Sequence, residues 1–310
     1  NLAGIHNPEQ GWGLAGETWH FMQALKTLAG EDWFLLGDRG CVSDALVGEH
    51  CSHCAARHDE KREQCSHFSV TFATVMPMSG VRERARVATT AEILRLAREQ
   101  MAVDGAAALS LRAVARDLGM VSSAIYRYFP SRDDLLTALI IDSYDRFGIA
   151  VEDADRSVRR RNDFLGRWRA SAHAMRTWAV DHPSEWALLF GTPVPGYAAP
   201  QDTIPSATRY AVVLVSILTD MSAAGLRHDF TVPKTLRPDL ARLRSQLDTG
   251  VSDGSLAIGL AAWSALMGTI NLELFGHLHN VVDAPGALFD AVVEQHGAIV
   301  VGTAVADESS

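Results

Sequence analysis

Between Gly119 and Leu136 the sequence reads GMVSSAIYRYFPSRDDLL. The chemistry these side chains could do is hydrogen bonding to a polyanion. Arg127 carries a planar fork of donors that fits either a guanine edge or a phosphate. The hydroxyls of Tyr126 and Tyr128 suit phosphate oxygens, and the small Ser123 and Ala124 let a backbone come close to base edges. On a short helix over SSAIYRYF, Ile125 and Phe129 stand four apart and point inward together. Ser123, Ala124, Tyr126, Arg127 and Tyr128 are then left outward.

A surface of this kind needs a scaffold, and the flanking periodicity supplies one. In RERARVATTAEILRLAREQMAVDG, Ile93, Leu96, Ala97, Gln100 and Met101 share one helix face, and all but Gln100 are apolar. Gly105 is placed to end that helix. Ser110 can cap the next, LRAVARDLG, whose stripe is Leu111, Val114, Ala115 and Leu118. Gly119 permits a sharp turn into the short helix, which Pro130 breaks. Ser131 followed three residues later by Asp134 reads as a capping box for a further helix, whose Leu135, Leu136, Leu139 and Ile140 face a core. Two short helices joined by a glycine turn, between longer amphipathic ones, match helix-turn-helix architecture.

Charge agrees in sign. The 310-residue chain carries a formal net charge of −9, yet residues 81–132 hold nine arginines against five acidic residues. Any anion-binding surface is therefore local, and a positive module inside a negative chain has the right polarity for a phosphate backbone. Spacing and charge alone also fit a small helical subdomain with solvated arginines.

The remaining chain is helical in pattern from about Arg82 onward. Phe164, Trp168, Ala172, Met175 and Ala179 share a face. The loop GTPVPGYAAPQDTIP interrupts, and helices are expected near 206–224, 238–247, 256–279 and 286–296, with a frayed tail after Gly302. The apolar run Leu256 to Leu272 contains Gly259, Gly268 and Asn271 and meets Glu273, which predicts a buried helix rather than a membrane span. Trp168, Met175, Trp178, Trp186, Phe190 and Trp263 are candidates for an apolar ligand pocket, with ordinary core as the alternative for each. Glu273 and His277 stand one turn apart without an evident third metal ligand. All four cysteines, Cys41, Cys51, Cys54 and Cys65, lie in one Cys/His-rich segment. Disorder and a structural zinc are the alternatives there, and no metal site is assigned. With no cysteine elsewhere and no cleavable signal, a reducing cytoplasm is expected.

The stretch LSLRAVARDLGMVSSAIYRYFPSRDDLLTALI resembles the DNA-binding domain of TetR-family transcriptional regulators, from about Val87 to Phe147. The resemblance rests on Gly119, Tyr126, Tyr128, Phe129 and Arg132. It implies backbone-phosphate contacts by Tyr128 and Arg132, with Ser123, Ala124 and Arg127 nearer the bases. The full set of expected DNA-binding residues is Ser110, Arg112, Met120, Val121, Ser122, Ser123, Ala124, Tyr126, Arg127, Tyr128 and Arg132. One departure stands out: Val121 occupies a position where many relatives carry Ser or Thr, and Ser122 follows it. DHPSEWALLFG and WSALMGTINLELFGHL resemble the ligand-sensing and dimerisation domain of the same family. Residues 256–298 would then supply a four-helix dimer interface, and a symmetric dimer implies a roughly palindromic operator.

Residues 1–39, including Asn7, Pro8, Gly11, Trp12, Gly13, Glu17, Thr18, Trp19, Gly37, Asp38 and Arg39, look like an internal piece of 2-phospho-L-lactate transferase. After Arg39 that likeness ends. A lone strand and helix cannot bury a sheet, so a fusion remnant is expected rather than an enzyme.

The expected fold is therefore all-α, with a mostly irregular amino-terminal extension. Its parts are a transferase-like fragment at 1–39, a Cys/His-rich linker at 40–78, a three-helix helix-turn-helix domain at 79–148, a ligand-binding and dimerisation domain at 149–302, and a tail at 303–310. The expected function is a ligand-responsive regulator, a repressor, that binds double-stranded DNA as a homodimer. It uses no cofactor and no membrane and answers an unidentified small-molecule effector. The alternative is a phospholactyl transferase or a bifunctional fusion with one.

Overall fold

Hydrophobic spacing in the chain is overwhelmingly helical, and helices are what it forms. In the computed structural model the structure describes residues 80–302 and 304–306. The transferase-like segment and the Cys/His-rich segment lie outside the described residues. The element order is α1 (Val81–Asp104), α2 (Leu111–Asp117), α3 (Ser122–Ile125), α4 (Arg132–Ser157), α5 (Phe164–Asp181), α6 (Pro183–Phe190), α7 (Ile204–Ala223), β1 (Leu226–His228), α8 (Arg237–Gln246), α9 (Asp253–Leu274), α10 (Pro285–Gly302) and β2 (Ala304–Ala306). By internal contacts the turns of α1 up to Thr90 belong to one unit, and the chain from Ala91 onward belongs to another. Every element from α2 onward lies in that second unit.

Among the described residues the architecture is all-α apart from one antiparallel ribbon. In it Leu226 faces Ala306 and His228 faces Ala304. The tail expected to fray is thus paired as far as Ala306. Buried His228 reinforces the junction: its Nδ1 lies 2.9 Å from Ser255 Oγ and its Nε2 lies 2.9 Å from the Val300 carbonyl. That carbonyl can only accept, so Nε2 is the donor to it.

One hydrophobic core runs from Ile93 to Val300. The long α4 is its spine. Leu135, Leu136, Leu139, Ile140, Tyr144, Phe147 and Val151 are all buried along it. It packs mainly on α5 and α7, and α10 packs on α9 and α5. The expected domain boundary at 148/149 falls inside α4.

Ion pairs fix the register of these packed helices. Arg209 of α7 reaches Glu152 and Asp145 of α4, each at 2.9 Å. Those hydrogen bonds, the one to Glu152 foremost, hold its guanidinium charged well above the ordinary arginine range. Arg167 of α5 is fully buried and donates to Asp155 at 2.7 Å, to Asp220 at 2.6 Å and to Ser216 at 3.1 Å. Buried Glu185 of α6 accepts from Arg146 and Ser143 of α4.

Helix α9 is the one described helix long and apolar enough to cross a membrane by length and composition, with 22 residues and a mean hydropathy of 1.4 over an 18-residue stretch of it. Here its Leu256, Ala262, Leu266, Met267 and Ile270 are buried in the protein core, as the sequence reading expected.

Candidate nucleic-acid interface

The turn that builds the interface is set locally. Ser110 adopts extended backbone, and its Oγ accepts from the Ala113 amide, starting α2. Gln100, the lone polar residue on the inner face of α1, accepts from the Ser110 amide at 3.2 Å and so fastens α1 to the start of α2. At the end of α2, Gly119 takes a φ of +69°, where a side chain would be strained. The Met120 amide closes the turn on the Ala115 carbonyl at 2.8 Å.

Helix α3 is shorter than the expected 122–129 and stops after Ile125. Tyr126 to Tyr128 form a tighter turn in which Arg127 donates to Ala124 and Tyr128 to Ile125. Pro130 disfavours helical backbone at Phe129, so the segment does not run on as helix into the next one. The next helix starts on the expected capping box: Ser131 accepts from the Asp134 amide, and Asp134 accepts from the Ser131 amide at 2.9 Å.

The short segment is anchored from within and open from without. Ile125 is 0% exposed and Phe129 7%, so both sit in the core as their spacing required. Val121, Ser122, Ser123, Tyr126 and Arg127 are exposed, while Met120, Ala124 and Tyr128 are half-buried. Arg112 on α2 is exposed as well.

The sequence tally of charge overstates what is free. Arg95 lies between Glu92 and Glu99, and these bonds, the one to Glu92 foremost, raise it above the ordinary arginine range. Arg98 of α1 is paired with Asp142 of α4 at 2.6 Å, and exposed Arg116 with Asp117 at 3.2 Å. Arg132, expected on a phosphate, pairs through Nη1 with exposed Asp133 at 3.4 Å and turns Nε and Nη2 to the backbone. It donates to the carbonyls of Ala106 (3.0 Å), Ala107 (3.1 Å) and Leu109 (3.2 Å), tying the start of α4 to the loop before α2. Between Ala91 and Arg132, Arg112 and Arg127 are the arginines whose side chains have no partner among the described residues.

The six candidate ligand residues divide sharply. Trp186, Phe190 and Trp178 pack around Phe147: the Trp186 and Phe190 rings are 4.4 Å apart, and Phe147 lies 5.1 Å from Trp178; Met175 is buried too. Trp168 is also buried and donates from Nε1 to the Val293 carbonyl at 2.9 Å. Trp263 lines a cavity of about 50 Å³ between α7, α8 and α9. Its other walls are Ala211, Leu214, Val215, Leu218, Leu243, Leu256, Gly259 and Leu260. Sequence reasoning passed over these aliphatics, although 211, 214, 215 and 218 recur at helical spacing. Glu273, paired in sequence with His277, instead accepts a two-pronged bond from Arg176 at 2.6 and 2.8 Å. No cluster of metal-ligating side chains occurs among the described residues.

Known proteins with this arrangement carry the identification. Residues 93–139 match the model of the tetR family of bacterial regulatory proteins, and residues 168–296 match a tetracyclin repressor-like C-terminal domain. The HTH-type transcriptional regulator Rv1816 of Mycobacterium tuberculosis is 40% identical over 225 residues, spanning 68% of this chain and 92% of that protein. The chain belongs to the TetR family. The Mycobacterium bovis regulator Mb1846 matches to the same extent. The crystal structure of the regulatory protein SCO4313 aligns with a TM-score of 0.59 at 36% identity, over 70% of this chain and 98% of that one. A Rhodococcus protein of unknown function shares the fold, with a TM-score of 0.51 at 23% identity over 67% of this chain and 93% of that one. As a TetR-family protein the chain is a DNA-binding transcriptional regulator with a helix-turn-helix, not an enzyme.

Proposed function

We propose that this TetR-family regulator is a cytoplasmic, ligand-responsive repressor that binds a palindromic operator as a homodimer. The observation that carries the DNA contact is the face of α3 and its following turn. Ser122, Ser123, Tyr126 and Arg127 are held in the open by a buried Ile125 and Phe129, and the described chain offers their side chains no competing partner. Arg127 is the base-reading donor and Arg112 a phosphate contact. Tyr126 and half-buried Tyr128 supply hydroxyls to the backbone. Arg132 acts by positioning the loop before α2.

Dimerisation is supported by α9 and α10. The exposed residues of α9 are Ala261, Ser264, Gly268 and Leu272, none of them charged. On α10, Ala287, Ala291, Gln295 and Ala298 recur at three-four spacing and are exposed. Small side chains on two adjoining helices allow a second copy to approach closely. The effector site proposed is the cavity under Trp263, whose aliphatic walls fit an apolar, uncharged molecule.

An electrophoretic shift of DNA flanking the gene tests the reading. Retardation at low salt that weakens steeply as salt rises is expected. No retardation of any flanking palindrome by dimeric protein would overturn it.

A further inference from the structure

Val121 stands at the leading edge of α3, in the N-cap position, with extended backbone (φ −65°, ψ 138°). An aliphatic residue there costs the helix about 1 kcal/mol against Ser or Asp, because nothing on the side chain can accept from the first free amides. The structure makes no such cap bond, and Ser122 and Ser123 beside it spend no hydroxyl on the helix end either. Nor does Val121 repay the loss by packing, since it is 71% exposed while Ile125, one turn later, is fully buried. The position therefore holds a branched apolar group outward, on the same edge as the free hydroxyls of Ser122 and Ser123 and just ahead of Arg127.

A duplex offers one apolar feature in its major groove, the C5 methyl of thymine. We propose that Val121 reads that methyl, so that the operator half-site carries a thymine where the leading edge of α3 meets the groove. The assignment rests on α3 being the DNA-reading helix. A hydroxyl at the same place would bond to a base edge or a phosphate and be indifferent to the methyl. The isopropyl group of Val121 can only gain by burying it.

The test first selects duplexes from a random-sequence library with the full chain. Each thymine of the selected site is then replaced by deoxyuridine, which keeps every pairing atom and removes only the methyl. For the unmodified protein, one thymine per half-site should lose affinity roughly fourfold on replacement, about what burying one methyl group is worth. V121A should bind the thymine and uracil duplexes alike, and 5-methylcytosine at that position should bind the unmodified protein better than cytosine does. Binding without any uracil-sensitive thymine, or the same uracil penalty in V121A, would overturn this inference and leave the DNA-reading role of α3 standing. Failure to enrich or bind any duplex would overturn both.

Discussion

Replacing Arg132 separates two roles that its charge alone leaves confounded. Its guanidinium donates to three backbone carbonyls, those of Ala106, Ala107 and Leu109, at 3.0 to 3.2 Å. Ala107 is exposed, and water can replace the arginine there. The Arg132 side chain itself is 31% exposed, which reduces what each bond contributes. Two effective bonds at about 1 kcal/mol each leave roughly 2 kcal/mol for R132M, measured as a shift in urea midpoint at constant slope. R132K keeps the charge but has no planar fork to span three carbonyls, so it should lose nearly as much. A phosphate contact would behave differently: R132M would flatten the dependence of log affinity on log salt by about 0.9 per contact, and R132K would restore it. The expected outcome is a destabilised R132M and R132K, each with the salt slope of the unmodified protein. Full stability in R132M together with a flattened slope would refute the positioning role.

The geometry sets three further outcomes. G119A should destabilise by about 1 kcal/mol through the +69° backbone alone, since a Cβ there would meet no atom within 4 Å; thermal unfolding checks it. R167M should cost about 3 kcal/mol, because it leaves the nearly buried Asp155 with Arg161 as its remaining cation while half-exposed Asp220 returns to water. D155N combined with R167M should recover part of that loss in a double-mutant cycle. If the proposed dimer forms through the uncharged α9 face, A261R places a charge in its middle, so sedimentation should show a dimer for the unmodified chain and a monomer for A261R, with folded-state circular dichroism unchanged.

Much of this was legible in the residues. The Ser110 cap, the Ser131–Asp134 box, the Gly119 turn and the inward pair Ile125 and Phe129 depend on neighbours within four positions, and local spacing reports such neighbours well. The inward turn of Arg132 was not legible, because its carbonyl partners lie 23 to 26 residues earlier and are backbone atoms that any residue could supply. The same holds for Arg98 and its distant partner Asp142. Aromatic residues on inward faces were correctly read as interior. Periodicity, however, cannot tell a position that packs on Phe147 from one that borders a void; it reports only that Trp168, Met175, Trp178, Trp186 and Phe190 are buried. One cavity lies where Gly259 and a run of aliphatics leave room beside Trp263.

The most direct test of the account is equilibrium binding of the selected duplex by the full chain and by R127A, across a range of ionic strength. Affinity of the unmodified protein should fall linearly on a log–log plot as salt rises, and R127A should lose about 1–3 kcal/mol while unfolding at the same temperature as the unmodified chain. Binding that ignores salt, or an R127A that binds the duplex as tightly as the unmodified protein, would contradict the claim that the exposed edge of α3 reads DNA.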